Sequence, residues 1–165
     1  HPGAGHPIRC WPIERFREVI SKVSQKYDDI QWLVFEDERL SSTSQLVDLF
    51  LQNQKVCGSL RQMMKLISYC DVMLVNDSGP MHIASALKTP VVAIFGPQHP
   101  EKFRPWGDEH FVVLEKKINC RGCSDRCVYQ QPLCMLNVSS EQVFQVVDKY
   151  IQKIMTEKRS VNFIN

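Results

Sequence analysis

The chain has 165 residues, of which 44% are hydrophobic and 23% charged, with 20 Lys and Arg against 18 Asp and Glu. That is one domain's worth of ordinary globular composition, and a formal net charge of +2 supplies no basic field to attract nucleic acid. The longest apolar runs, such as Val72–Val75 and Val91–Phe95, are far too short to span a bilayer.

The opening His1-Pro2-Gly3-Ala4-Gly5 is turn chemistry, so the chain is expected to be a piece of a longer protein. Pro12–Gln25 sets Ile13, Phe16, Ile20 and Val23 on one helical face, with Pro12 suited to the first turn. Ile30–Phe35 is a short apolar run rich in aromatic and β-branched residues, the mark of a strand buried on both faces. After polar Glu36–Ser44, a helix is expected around Gln45–Gln52 and a very short strand at Lys55–Cys57. Leu60–Tyr69 repeats the helical period, with Leu60, Met63, Met64 and Ile67 on the face expected to be buried.

The clearest unit follows, with a strand at Val72–Val75, a helix at Gly79–Leu87 and a strand at Val91–Phe95. Gly96, Pro97, Pro100, Pro105 and Gly107 mark a shaped loop, and Phe111–Leu114 reads as another strand. A Cys-rich loop spans 118–137. The last helix starts at Ser139, which has capping-box spacing to Gln142. Val143, Val146, Val147, Tyr150, Ile151 and Ile154 form its apolar stripe, and the tail beyond Thr156 is expected to fray. Strands alternating with helices predict an α/β fold, a Rossmann-like parallel sheet with helices on both faces. In such folds ligands sit at the carboxyl ends of the strands.

One such end carries chemistry. Val75 is followed by Asn76-Asp77-Ser78-Gly79-Pro80-Met81-His82. Ser78 is a good N-cap, Gly79 lets a ligand approach the backbone, and Pro80 fits the first turn. Free amides and the helix dipole at that point suit an anion. His82 lies near them, and a phosphate would favour its imidazolium form. The same residues also suit a plain helix cap with a solvated histidine. The turn Pro2–Gly5 offers a second set of exposed amides, and Arg9 a cation beside it.

Seven cysteines are present. Cys10, Cys57 and Cys70 sit singly among apolar neighbours, as small core residues do. Cys120, Cys123, Cys127 and Cys134 cluster as C-x2-C-x3-C-x6-C. A structural zinc or iron site, reduced thiols and disulfides all remain open for them.

The stretch Cys70–Leu87 followed by Thr89–Pro97 resembles the signature of the ADP-heptose:lipopolysaccharide heptosyltransferase family, glycosyltransferase family 9. Pro2–Gly5, Trp11-Pro12, Arg15-Phe16 and the ending Cys120–Cys134-Met135 with Val138–Val143 resemble the C-terminal half of that family. The resemblance implies the C-terminal half of a GT-B glycosyltransferase. Residues 1–157 would be the nucleotide-sugar domain, including the loop at 118–137, with a frayed tail at 158–165 and the acceptor domain outside this chain. It further implies inverting transfer of a heptose or related sugar from an ADP-heptose-like donor to a lipopolysaccharide-core or other glycan acceptor, with no cofactor required.

Residue by residue, Asp77, Ser78, Gly79 and His82 match the motif that holds the donor's diphosphate and sugar, with Gly5 in the facing turn. Arg9 stands where the family has a phosphate-contacting Lys. Arg is a planar fork and Lys a point charge, so the geometry differs. Glu38 is expected at the ribose, and Ser59 and Leu60 at the base. The resemblance places the general base in the missing domain, so no catalytic residue is expected in this chain, and the isolated fragment should be inactive. It implies a cytoplasmic enzyme of bacterial lipopolysaccharide synthesis, at or near the inner face of the inner membrane by peripheral association. Competing readings are a metal-binding interaction module on a Rossmann-like fold and a sugar-nucleotide epimerase-type domain.

Overall fold

The structure is a computed structural model that describes residues 1–35, 54–56 and 59–162. A short 3-10 turn at Pro7–Arg9 leads into helix α1, Ile13–Lys26, with Pro12 at its N-cap. Strand β1 is Leu33–Phe35 and β2 is Gln54–Val56. Helix α2, Leu60–Ile67, precedes strand β3, Met73–Asn76, and helix α3, Gly79–Ala86. Strand β4 is Val91–Phe95 and helix α4 is Pro100–Phe103. Strand β5, His110–Leu114, and helices α5, Leu133–Leu136, and α6, Ser140–Asn162, complete the chain. The expected helix at Gln45–Gln52, together with Cys57 and Glu38, lies outside the described residues.

All strand pairings are parallel, β1 with β2 and then β3–β4–β5 in order. Alternation along β4 explains the layers. Val92 and Ile94 join a core with Phe16, Val19, Ile20 and Val23 of α1 and Val143, Val147 and Ile151 of α6. Val91, Ala93 and Phe95 point the other way, onto Ile67 of α2 and Met81 and Ala84 of α3. Because β4 is buried on both faces, it reads as the continuous apolar run that central parallel strands require. Thus the expected α/β sandwich of helices about a parallel sheet is the one found. Among the described residues no helix is long and apolar enough to cross a membrane.

Two local expectations need correction. On α2 only Ile67 is buried; Leu60 is 60% exposed and Met64 38%. Its helical period located an apolar stripe, of which Ile67 and the partly buried Met63 pack on the core while Leu60 and Met64 stay exposed. Helix α6 runs to Asn162, and no Gly or Pro interrupts it. The two loops around positions 96–107 and 118–137 each contain a one-turn helix, α4 and α5, too short to leave a periodic signal.

Candidate functional site

The site is assembled around the carboxyl end of β3. Asn76, its last residue, is fully buried. Its side-chain amide donates to the Pro2 carbonyl at 2.6 Å, and its Oδ1 accepts from the Trp11 amide at 3.2 Å. One side chain therefore clips both ends of the N-terminal loop, so that Arg9 is carried to the start of α3. Trp11 is held from its other side, where its indole N–H donates to the Val138 carbonyl at 2.9 Å.

After Asn76, the Asp77 amide still donates to the Ile94 carbonyl at 3.1 Å, and Ser78 takes up an extended N-cap conformation. The Ser78 hydroxyl does not cap the helix. It is buried and has no hydrogen-bond partner among the described residues, and neither has Asp77 Oδ2. Leaving a buried hydroxyl unsatisfied costs about 1–3 kcal/mol, which marks Ser78 as shaped for something other than stability. Pro80 has no amide hydrogen and the Met81 amide is taken by the Ser78 carbonyl at 3.1 Å, so the amides available to an anion narrow to those before Pro80. Gly79 and Gly5 both face open space, for a Cβ at either would meet nothing within 4 Å.

Charge at the site is balanced. The Arg9 guanidinium lies 3.7 Å from Asp77 Oδ2 and makes a two-pronged bond to Asp125, Nε to Oδ1 at 2.7 Å and Nη2 to Oδ2. Gln98 donates to the same Asp125 Oδ1 at 3.4 Å. Burial pushes the Asp77 carboxyl above the usual carboxylate range, while the positive charges of Arg9 and His82 pull it back and Asp125 adds to the rise. The hydrogen bond from Arg9 holds Asp125 below that range, and Asp125 in turn raises Arg9. His82 is exposed on the first turn of α3, close enough for its charge to be felt at Asp77.

Asp77, Ser78, Gly79, His82 and Arg9 thus come together, and Gly5 lies in the loop held between Pro2 and Trp11. Ser59 and Leu60 lie at the exposed start of α2. The Ser59 hydroxyl accepts from the Gln62 amide at 3.4 Å, and the Ser59 amide donates to Gln62 Oε1 at 2.8 Å in a capping box. Among the described residues their side-chain hydrogen bonds stay within α2 and do not reach the Arg9 group. Sequence reasoning missed Asn76, Gln98 and Asp125. A polar residue ending a strand of otherwise buried apolar residues was a usable signal for Asn76. None existed for Asp125, which is placed by the path of the Cys-rich loop.

That loop is fastened to the end of β4. The Arg121 guanidinium donates to the Gly96 and Glu115 carbonyls, and the Gly122 amide donates to the Pro97 carbonyl at 2.7 Å. Gly122 has φ +92° and a Cβ there would lie 2.2 Å from His99 Nε2, so only glycine fits. Cys120, Cys123, Cys127 and Cys134 are free thiols. Burial raises the Cys134 thiol, with the other three cysteines adding to the rise. Among the described residues no three His, Cys, Asp or Glu side chains are arranged to hold a metal ion. Backbone hydrogen bonds, Arg121 and Gly122 shape this loop.

Residues 1–132 match the family model described as glycosyltransferase family 9 (heptosyltransferase). The chain is 28% identical over 152 residues to lipooligosaccharide heptosyltransferase 2 of Campylobacter jejuni subsp. jejuni serotype O:2, covering 88% of this chain and 48% of that protein. Among solved structures it is similar to Escherichia coli ADP-heptose lps heptosyltransferase II, with TM-score 0.75, 20% identity, and coverage of 93% of this chain and 46% of the other. It also resembles E. coli heptosyltransferase WaaC with ADP, with TM-score 0.71, 17% identity, and coverage of 90% and 42%. The chain spans about half the length of the curated relatives that it matches over most of its length. With its Rossmann-like sheet shared by GT-B heptosyltransferases and a family match over most of its residues, the chain belongs to glycosyltransferase family 9, the heptosyltransferases.

Proposed function

We propose that this chain is the donor-binding half of an inverting glycosyltransferase that moves a heptose or related sugar from an ADP-heptose-like nucleotide sugar to a lipopolysaccharide-core or other glycan acceptor. One observation carries the reading: a guanidinium, a buried hydroxyl with no hydrogen-bond partner, a buried carboxyl oxygen 3.7 Å from that guanidinium and an exposed imidazole gather where Gly79 leaves the backbone open. The relatives' names support the sugar class, and the ADP of one solved relative supports the nucleotide.

The chemistry divides among the residues. Phosphate oxygens carry no protons, so the donors Arg9, His82, the Ser78 hydroxyl and the Gly79 amide face the diphosphate. An ionised Asp77 is an acceptor, which suits a sugar hydroxyl better than a phosphate. As the glycosidic bond breaks, negative charge grows on the departing nucleoside diphosphate, and fixed donors there stabilise the transition state more than the ground state. Arg9 and His82 supply the positive charge, so the step needs no metal at the phosphates. Glu38, Ser59 and Leu60 serve the nucleoside.

The general base and the acceptor site belong to an N-terminal domain joined to this one, and residues 1–157 alone turn over no sugar. The substrates put the enzyme in the bacterial cytoplasm, at the membrane face where a glycolipid acceptor is presented. Mass spectrometry of acceptor incubated with the two-domain protein and ADP-, GDP- or UDP-sugars tests this. Transfer from an ADP-sugar with inverted anomeric configuration is expected, and retention of configuration, or epimerised donor with no transfer, would overturn it.

A further inference from the structure

Two carboxylates share the Arg9 guanidinium. Its Nε and Nη2 each give a hydrogen to Asp125, while Nη1 lies 3.7 Å from Asp77 Oδ2. Asp125 is delivered by a sharply bent stretch of the Cys-rich loop, in which Gly122, Ser124 and Asp125 have φ of +92°, +50° and +66°. Two of these are not glycine, and such backbone is strained for them. Gln98, in the turn after β4 and only 8% exposed, donates from Nε2 to Asp125 Oδ1 at 3.4 Å.

Phosphate binding alone does not account for this arrangement. A diphosphate has no hydrogen to offer a carboxylate, and like charges repel. A neutral polyol is the opposite case, because each hydroxyl donates to a carboxylate and accepts from an N–H. Asp125 Oδ1 already accepts from Arg9 and Gln98, whereas Oδ2 accepts from Arg9 alone and keeps a lone pair. The Asp125 side chain is 21% exposed, so a ligand can reach it. Beyond its one bond, the Gln98 amide has a second hydrogen and a carbonyl oxygen. Next to Asp77, the Ser78 hydroxyl is buried with no hydrogen-bond partner among the described residues.

We propose that Asp125 and Gln98 read hydroxyl groups of the transferred sugar, an assignment that rests on the nucleotide-sugar reading above. Arg9 then has two tasks. Its Nε–Nη2 edge fixes Asp125, and the hydrogens left on Nη1 and Nη2 face the diphosphate. A ligand that carries the sugar recovers in hydroxyl bonds what a bare diphosphate loses by repulsion from Asp125. The site therefore holds the intact donor more tightly than the nucleoside diphosphate left after transfer, which favours release of that product.

Isothermal titration of the 165-residue chain with ADP, ADP-glucose and ADP-mannose tests this in the native form, Asp125→Ala and Gln98→Leu, each first shown to melt cooperatively. The native chain is expected to bind the better of the two ADP-sugars about five- to tenfold more tightly than ADP, as hydrogen bonds to a charged group allow. Both substitutions should bring that ratio close to one. Should Gln98→Leu fail to fold, the result for the partly exposed Asp125 position decides the matter. The ratio is the readout, because a merely structural role would change all three affinities alike. An unchanged ratio in the folded variants would overturn the proposal, and so would a native ratio near one for both sugars. Failure of the folded native chain to bind ADP at all is a separate result, which removes the donor site and this assignment with it.

Discussion

Arg9 and Asp125 meet fork to fork although 116 positions apart in sequence, with Nε 2.7 Å from Oδ1. The guanidinium that would serve a diphosphate is thereby already bound to a carboxylate from the Cys-rich loop. Asp125 competes with any anion for Arg9 and also repels it. Replacing Asp125 by Asn removes that charge. Nucleoside-diphosphate affinity should rise about three- to tenfold, about 0.7–1.4 kcal/mol, while stability falls by no more than about 1 kcal/mol because the pair is partly exposed. Calorimetric titration of D125N checks this, and weaker binding would mean that Asp125 orients Arg9 instead of occupying it.

Asp77 gives a pH signature. Its carboxyl is raised mainly by burial, so the folded state holds the proton more tightly than the unfolded state. Its contribution to stability is fully present below the ordinary value of 3.8 and is lost as pH rises through the raised one. Asp77→Asn should therefore gain stability relative to the native chain at pH 7, and the difference should shrink as pH falls toward 4. Urea melts between pH 4 and 7 measure it. A gap that widens on acidification contradicts the assignment.

The Asn76 clip makes a structural prediction. Asn76→Ala strands the buried Trp11 amide and Pro2 carbonyl, at a cost of about 2–4 kcal/mol. It should also weaken diphosphate binding by releasing Gly5 and Arg9. Asn76→Asp keeps the acceptor for Trp11 but cannot donate to Pro2 while ionised, and should bind less well than the native chain. Unchanged affinity in a folded Asn76→Ala variant would show that the loop needs no clip.

These residues also show how far sequence reading reaches. The β3–α3 junction was legible because its information is local: a buried strand, then Ser78, Gly79 and Pro80 at a helix start. Even there the Ser78 hydroxyl was misread as a cap, since residue type does not disclose which way a hydroxyl turns. Arg9 was legible as a cation beside the Pro2–Gly5 turn and again through the family pattern, but its partner Asp125 was not, because long-range pairing leaves no periodic trace. The apolar stripe on α2 was visible, yet the exposure of Leu60 and Met64 depends on where the sheet ends. Likewise the four cysteines were visible as a cluster, but the hydrogen bonds of Arg121 and the positive φ of Gly122 that set the loop's course were not.

Binding of ADP to the chain, followed by isothermal titration at neutral pH and low salt, puts the phosphate site itself on trial. One-to-one binding is expected, weakened about tenfold or more by either Arg9→Ala or His82→Ala, each removing a charge-assisted bond of about 1.5–3 kcal/mol. The remote Lys26→Ala control should bind ADP like the native chain. Binding that ignores both site substitutions, or no binding at millimolar ADP by a folded chain, would place the diphosphate elsewhere.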